Sequence, residues 1–188
     1  MTLRDYAGLL AKNGVGIIPT DTLYGLVGRA QDRETIERIY RLKGRQPNKP
    51  LIVLISSLDD LAKFKVKADA KTKKVLKKYW PGKISVILPC PHQEFEYLHR
   101  ETKTLAFRLP DYPELTHLIT QTGPLVAPSA NPEGLPPAKT LSEARNYFGD
   151  KLDFYVDAGR LDSLPSTLIS VTEKGIKVLR EGAVKINL

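Results

Sequence analysis

Five consecutive apolar residues, Leu51-Ile52-Val53-Leu54-Ile55, limit the fold more than any other feature. A strand points successive side chains to opposite faces, so a run without polar alternation must be covered on both sides. The flanking segments alternate between strand and helix. Thr2-Leu3-Arg4-Asp5 reads as a capping box, followed by Leu3, Tyr6, Ala7 and Leu10 on one helical face and a stop at Gly14. Residues 15–19 read as a short apolar strand, and Asp32 caps a helix with the face Ile36, Ile39 and Tyr40.

Ser57 opens another short helix, and Val75, Leu76 and Tyr79 mark the buried side of a lysine-rich segment. Residues 84–88, 104–109, 125–127, 154–156, 167–171 and 176–179 read as further strands. Pro113 starts a helix that Gly123 ends, and Thr140-Leu141-Ser142-Glu143 reads as a second capping box. Such alternation predicts an α/β fold with a large, twisted, mixed sheet flanked by helices, and a hairpin at Glu173-Lys174-Gly175. The 188 residues suffice for one full core and fall short of two ordinary domains, so residues 1–188 are expected to form a single domain.

Polar residues gather directly after strands, where open α/β sheets collect ligands. Pro19-Thr20-Asp21-Thr22-Leu23-Tyr24-Gly25-Leu26 packs two hydroxyls, a carboxylate and a phenol into one turn. Either the turn caps its own backbone or it faces a ligand. Lys43-Gly44-Arg45-Gln46-Pro47-Asn48-Lys49-Pro50 brings three cations off a helix end into a loop shaped by Gly and two prolines. Helix-end charge pairing and triphosphate binding both account for it; Arg forks grip phosphate oxygens and Lys supplies a point charge. Arg108 is a cation in an otherwise apolar strand and needs an ion-pair partner or a ligand. Ser129, Asn131, Ser166 and Arg180 also fall at strand ends.

The chain contains no Walker-type loop, no dinucleotide fingerprint and no nucleophile elbow. His92, His99 and His117 lack zinc-like spacing, and the single Cys90 excludes an intrachain disulfide and a cysteine-only metal site. A nucleotide would therefore be held by side chains and strand-end loops. No apolar run approaches the roughly 20 residues of a membrane span, and the first residues carry no apolar leader. A cytoplasmic location without membrane contact is expected. Lysine and arginine number 29 against 21 acids, an excess that draws polyanions such as nucleotides or RNA.

The segments at residues 19–26, 43–51, 80–82, 107–110, 124–131 with Gly134, 157–159, 166–167 and 179–182 occur in the order found in the YrdC/TsaC family of threonylcarbamoyl-AMP synthases, which the chain resembles over almost its whole length. The resemblance implies an α/β domain with a basic concave site, in the family's short form. It implies a nucleotidyltransferase that joins L-threonine, bicarbonate and ATP, with Mg²⁺ accompanying ATP, into threonylcarbamoyl-AMP and pyrophosphate. A threonylcarbamoyl-transferase complex would then modify tRNA at position 37.

By position, Lys43 and Arg45 would be catalytic. Thr22, Arg108, Ala127 and Ser166 would bind threonine. Lys43, Arg45, Lys49, Thr104, Ser129, Asn131 and Arg180 would bind ATP, with no protein-bound metal. Departures from the family pattern are Leu54 and Pro137, where relatives carry polar residues, Lys83-Ile84-Ser85 after Trp80-Pro81-Gly82, and Asp157-Ala158-Gly159 in place of Asp-Gly-Gly. The alternative reading is a module that binds double-stranded RNA or tRNA without chemistry through the lysines between Lys63 and Lys78.

Overall fold

Two hydrophobic clusters, one on each side of a single nine-stranded sheet, organise the chain in a computed structural model that describes residues 2–186. The strands are β1 (Gly16–Pro19), β2 (Tyr24–Arg29), β3 (Ile52–Leu54), β4 (Ile84–Pro89), β5 (Thr104–Arg108), β6 (Leu125–Val126), β7 (Phe154–Tyr155), β8 (Thr167–Thr172) and β9 (Gly175–Arg180). Their spatial order is β7-β1-β2-β6-β3-β5-β4-β8-β9. β1 with β7, β3 with β5, and β4 with β8 pair parallel; the other neighbours pair antiparallel, so the sheet is mixed as expected.

The apolar run at residues 51–55 supplies β3, between β6 and β5. Val53 enters one cluster and Leu54 the other. The same alternation splits Ile17 from Ile18 and Leu26 from Val27. On the first face lie α2 (Arg33–Lys43), α3 (Ala70–Tyr79), α4 (Glu96–His99) and α6 (Leu141–Phe148), which contribute Ile36 and Ile39, Leu76, Leu98, and Ala144 and Phe148. On the second face lie α1 (Ala7–Ala11) and α5 (Pro113–Thr122), which contribute Leu10, Leu115, Leu118 and Ile119. The α1–α5 layer covers β1, β2 and β6 but stops short of β5, β4 and β8.

Local signals act largely as read. Asp32 accepts a hydrogen bond from the Thr35 N–H at 2.7 Å, and Asp5 accepts from the Thr2 N–H at 2.8 Å. Three readings need correction. The left-handed residue after α1 is Asn13, at φ 63°, not Gly14, which instead sits tight against the Leu9 carbonyl. Glu143 accepts from the Lys139 N–H rather than closing a box on Thr140. β2 and α4 have no counterpart in the sequence reading: Gly25 and Gly28 dilute the strand signal of β2, and α4 spans only four residues. Ala158 replaces glycine without strain, because the positive φ of that turn, 71°, falls on Gly159. Among the described residues no helix is long and apolar enough to cross a membrane.

Candidate active site

Where the helical layer ends, the second face of the sheet forms the floor of a cavity of about 340 Å³. Ile52, Ala106 and Ile87 stand side by side across β3, β5 and β4 and make an apolar strip. Along β5, Thr104, Ala106 and Arg108 face the cavity while Leu105 and Phe107 enter the core behind. Four residues of strand separate the ends of that row by about 13 Å. The cavity therefore runs along strands rather than only at their carboxyl ends, which is why a reading based on strand-end loops missed Ile52, Ile87, Ala106 and Leu168. The pattern Thr-Leu-Ala-Phe-Arg carried the signal: polar or small residues alternate with large apolar ones, as on a strand with one uncovered face.

Arg108 is 4% exposed. Its Nη1 donates to Thr22 Oγ1 at 3.1 Å, and its Nη2 lies 3.3 Å from Asp21 Oδ1. That second contact is Coulombic, since Asp21 Oδ1 and Arg108 Nε have no hydrogen-bond partner among the described residues. Burial pulls the guanidinium below its ordinary pKa, Asp21 opposes this, and Arg180 adds to it. The ion-pair partner sought for Arg108 is thus Asp21, and a donor is left over in a cavity wall. Thr20 caps the same turn, accepting from the N–H groups of Thr22 and Leu23 at 3.1 and 3.2 Å. The turn of residues 19–26 caps its own backbone and also presents Thr22 to the cavity.

Arg180 Nη2 donates to the Ser166 carbonyl at 2.7 Å, and Ser166 Oγ lies 2.8 Å from Ser85 Oγ. Gly182 makes this corner possible; a Cβ there would sit 2.3 Å from the Pro165 carbonyl oxygen. Desolvation, then repulsion from Arg45, lowers the Arg180 pKa. Arg45 follows Gly44, whose φ of 56° turns the chain out of α2. Its Nε and Nη2 donate to the carbonyls of Lys49 and Pro50 at 2.9 and 3.1 Å, curling the loop at the cavity edge.

Thr22, Arg45, Thr104, Arg108, Ala127 and Ser129 line the cavity together with Ser166 and Arg180. Lys43, Lys49 and Asn131 do not. Lys43 is 2% exposed, and its Nζ donates to the carbonyls of Ser129 and Asn131 at 2.6 and 2.5 Å. It continues the buried stripe Ile36, Ile39, Tyr40, so helical phase alone placed it inside. Burial chiefly, with Arg45 adding to it, lowers its pKa to about 7; Glu133 opposes the shift. Lys49 pairs with Glu133 at 2.5 Å, and Asn131 Nδ2 donates to the carbonyls of Pro132 and Leu135. These three shape the loops behind the cavity. Leu54 is fully buried under α5 and Pro137 is exposed outside the cavity, so neither departure alters its wall.

Three arginines and several hydroxyls line the cavity, and among the described residues no carboxylate does. Such a wall fits a ligand that carries several negative charges and an apolar portion.

The Sua5/YciO/YrdC family model, described as telomere recombination, matches residues 8–182. A threonylcarbamoyl-AMP synthase of Bacillus subtilis is 34% identical over 181 residues, which cover 95% of this chain and 52% of the relative. One from Halorhodospira halophila is 31% identical, with 86% of this chain and 85% of the relative covered. The crystal structure of Pyrococcus abyssi Sua5 complexed with L-threonine superimposes with a TM-score of 0.88 at 30% identity, over 96% of this chain and 54% of that one. The chain spans about half the length of the Bacillus and Pyrococcus proteins.

Proposed function

Because the chain belongs to the Sua5/YciO/YrdC family, we propose that it condenses L-threonine, bicarbonate and ATP into threonylcarbamoyl-AMP and pyrophosphate. The observation that carries this reading is the cavity itself: Arg45, Arg108 and Arg180 converge on an apolar floor with no acid among the lining residues. The threonine nitrogen attacks the carbon of bicarbonate, and loss of water leaves N-carboxythreonine. A carbamate oxygen then forms a bond to the α-phosphorus of ATP while the α–β phosphoanhydride bond breaks and pyrophosphate departs.

Both reactants are anions, so charge neutralisation and alignment dominate over proton transfer. Arg108, steadied by Asp21 and Thr22, takes the threonine carboxylate on its free donors. Arg45 and Arg180 hold phosphate oxygens, and Ser129 with the Ala127 backbone lies between amino acid and nucleotide. Lys43 acts from behind, fixing the carbonyls of Ser129 and Asn131. Magnesium would accompany ATP as part of the substrate and partly neutralise its phosphates, with Arg45 and Arg180 supplying the protein's own positive charge. The product would pass in the cytosol to a transferase that modifies tRNA.

Mass spectrometry after incubation with ATP, threonine and bicarbonate tests the proposal, with serine as competitor. The expected products are threonylcarbamoyl-AMP and pyrophosphate, with the threonine adduct in excess over the serine adduct. Unconsumed ATP, or release of pyrophosphate with no carbamoylated adenylate, overturns it.

A further inference from the structure

Ser85 has no exposed surface and does not line the cavity, yet its hydroxyl touches a residue that does. On β4, Ile84, Val86 and Leu88 enter the first cluster, so Ser85 shares the second face with the floor residue Ile87. It stands beside Leu168 in the parallel pairing of β4 with β8. Among the described residues its hydroxyl meets a single hydrogen-bond partner, Ser166 Oγ at 2.8 Å. Ser166 is 3% exposed and lines the cavity.

The backbone around Ser166 is fixed without Ser85. Arg180 Nη2 donates to the Ser166 carbonyl at 2.7 Å. The Thr167 N–H donates to the Lys83 carbonyl at 3.0 Å, and the Ala183 N–H to the Pro165 carbonyl at 2.8 Å. None of these bonds sets the direction of the Ser166 hydroxyl hydrogen. A hydroxyl has one hydrogen and two acceptor lone pairs. Arg180 Nη2, which can only donate, lies 3.3 Å from Ser166 Oγ and takes one lone pair. Ser85, with no other acceptor among the described residues, satisfies its buried hydrogen by donating to the second. The Ser166 hydrogen then has no acceptor among the described residues, and the cavity that the residue lines is the side open to it.

We infer that Ser85 is a positioning residue, which makes the Ser166 hydroxyl a donor toward an oxygen of the amino-acid substrate. The inference rests on the reading of the cavity as a threonine site. With the reverse direction, Ser166 donating to Ser85, the Ser85 hydrogen would be buried unpaired, and Ser166 would turn a lone pair toward an anionic ligand. The observed contacts favour the first direction on both counts. Without the Ser85 hydroxyl, Ser166 keeps its place but loses the contact that aims and polarises its O–H bond.

Calorimetry of L-threonine binding, without ATP, tests this. Ser85→Ala is expected to weaken binding about threefold to tenfold, the net contribution of one neutral hydrogen bond. In the adenylation assay KM for threonine should rise by the same factor, while kcat and KM for ATP stay within about twofold of wild type. Ser85→Thr, which keeps the hydroxyl, restores the wild-type affinity. In a Ser166→Ala background, Ser85→Ala should change affinity by less than about twofold, because the donor it aims is gone. A purely structural role would instead lower the unfolding midpoint and weaken both backgrounds alike. Should Ser85→Ala fold poorly, Ser85→Cys, a weaker donor of similar size, is expected to show a smaller loss that also vanishes in the Ser166→Ala background. The inference fails if Ser85→Ala binds threonine as wild type does, if the two substitutions add in full, or if kcat falls while KM holds. It also fails if a folded Ser85→Thr restores nothing, or if the wild type binds no threonine. Product analysis of the wild type tests the adenylation reading separately. Threonine binding that depends on Ser85, with no threonylcarbamoyl-AMP formed, would sustain the inference and overturn that reading alone.

Discussion

The second face of the sheet is one surface with two fates. Over β1, β2 and β6 it carries Ile18, Val27 and Leu125, sealed by Leu10, Leu115 and Leu118 of α1 and α5. Over β5, β4 and the Ile52 end of β3 it carries Ile52, Ala106, Ile87 and Arg108 and lines the cavity. The backbone is equally regular in both halves, so the difference is one of cover. Where a helix lies on the sheet, an outward side chain adds to stability; where none does, the same position becomes the wall of a site. Arg108 belongs to the second half but is buried as deeply as the first, and this makes it the hinge of the comparison.

Arg108→Ala should do damage on both counts and gives the largest effect. It leaves the Asp21 carboxylate, 3% exposed, without its counter-charge, a loss of about 3–5 kcal/mol of stability for a broken buried pair. Denaturant unfolding measures it, and a change below 1 kcal/mol would show that the pair is better solvated than its burial implies. Leu118→Ala, in the sealed half, should cost about 2–5 kcal/mol while kcat/KM of the folded protein for the proposed reaction stays within twofold. A large loss of activity in the folded fraction would erase the distinction between the halves. Arg45→Ala is the converse. The side chain is half-exposed on the rim, so the fold survives, and turnover should fall about 10²–10³-fold, equivalent to ~2.7–4 kcal/mol of transition-state stabilisation. Near-normal pyrophosphate release would remove Arg45 from the chemistry.

Lys43 lies behind the cavity, and its effect is read through pH. Its folded pKa, about 7, lies below the ordinary lysine value. Between these two values the unfolded chain binds a proton that the folded one lacks, so this group makes stability rise with pH above 7 and level off near 10. The slope is up to about 1.4 kcal/mol per pH unit. Comparing unfolding free energies of wild type and Lys43→Met from pH 6 to 10 isolates it, because only wild type should gain stability across that window. Parallel curves would mean that Lys43 keeps its proton in the folded protein.

Lys43 and Arg45 also mark how far the sequence could be read. Two residues apart, they look alike as cations in a loop. Yet helical phase sends Lys43 inward with Ile36 and Ile39, and the left-handed Gly44 sends Arg45 out. That phase was present in the sequence. β3 was legible because five apolar residues in a row are a local fact. The caps at Asp32 and Thr140 were legible for the same reason. The cavity floor was legible only on β5, where Thr104-Leu105-Ala106-Phe107-Arg108 alternates; whether Ile52 or Ile87 meets a helix or a ligand depends on where α5 stops, which neither residue records. Asp21 as the partner of Arg108 was equally hidden, since 87 residues separate them in the chain. Polar residues at strand ends identified much of the cavity rim, and tertiary cover determined the rest.

The smallest expected effect lies where the core of the first face meets the cavity wall. Tyr24, a lining residue with no exposed surface, donates its hydroxyl proton to the Gly159 carbonyl at 2.7 Å and accepts from the Ala158 N–H at 2.9 Å. Asp157 closes the turn by accepting from the Gly159 N–H at 2.9 Å. These bonds use the backbone of residue 158, and only Gly159 requires a positive φ. Ala158→Gly therefore keeps every bond and acts through the unfolded chain, whose added freedom costs about 0.4–1 kcal/mol. A thermal unfolding midpoint lower by a few degrees, with kcat/KM unchanged, would assign residues 157–159 to the core as a support for Tyr24. A tenfold fall in kcat/KM at that small stability cost would instead move the boundary, making the turn part of the cavity wall.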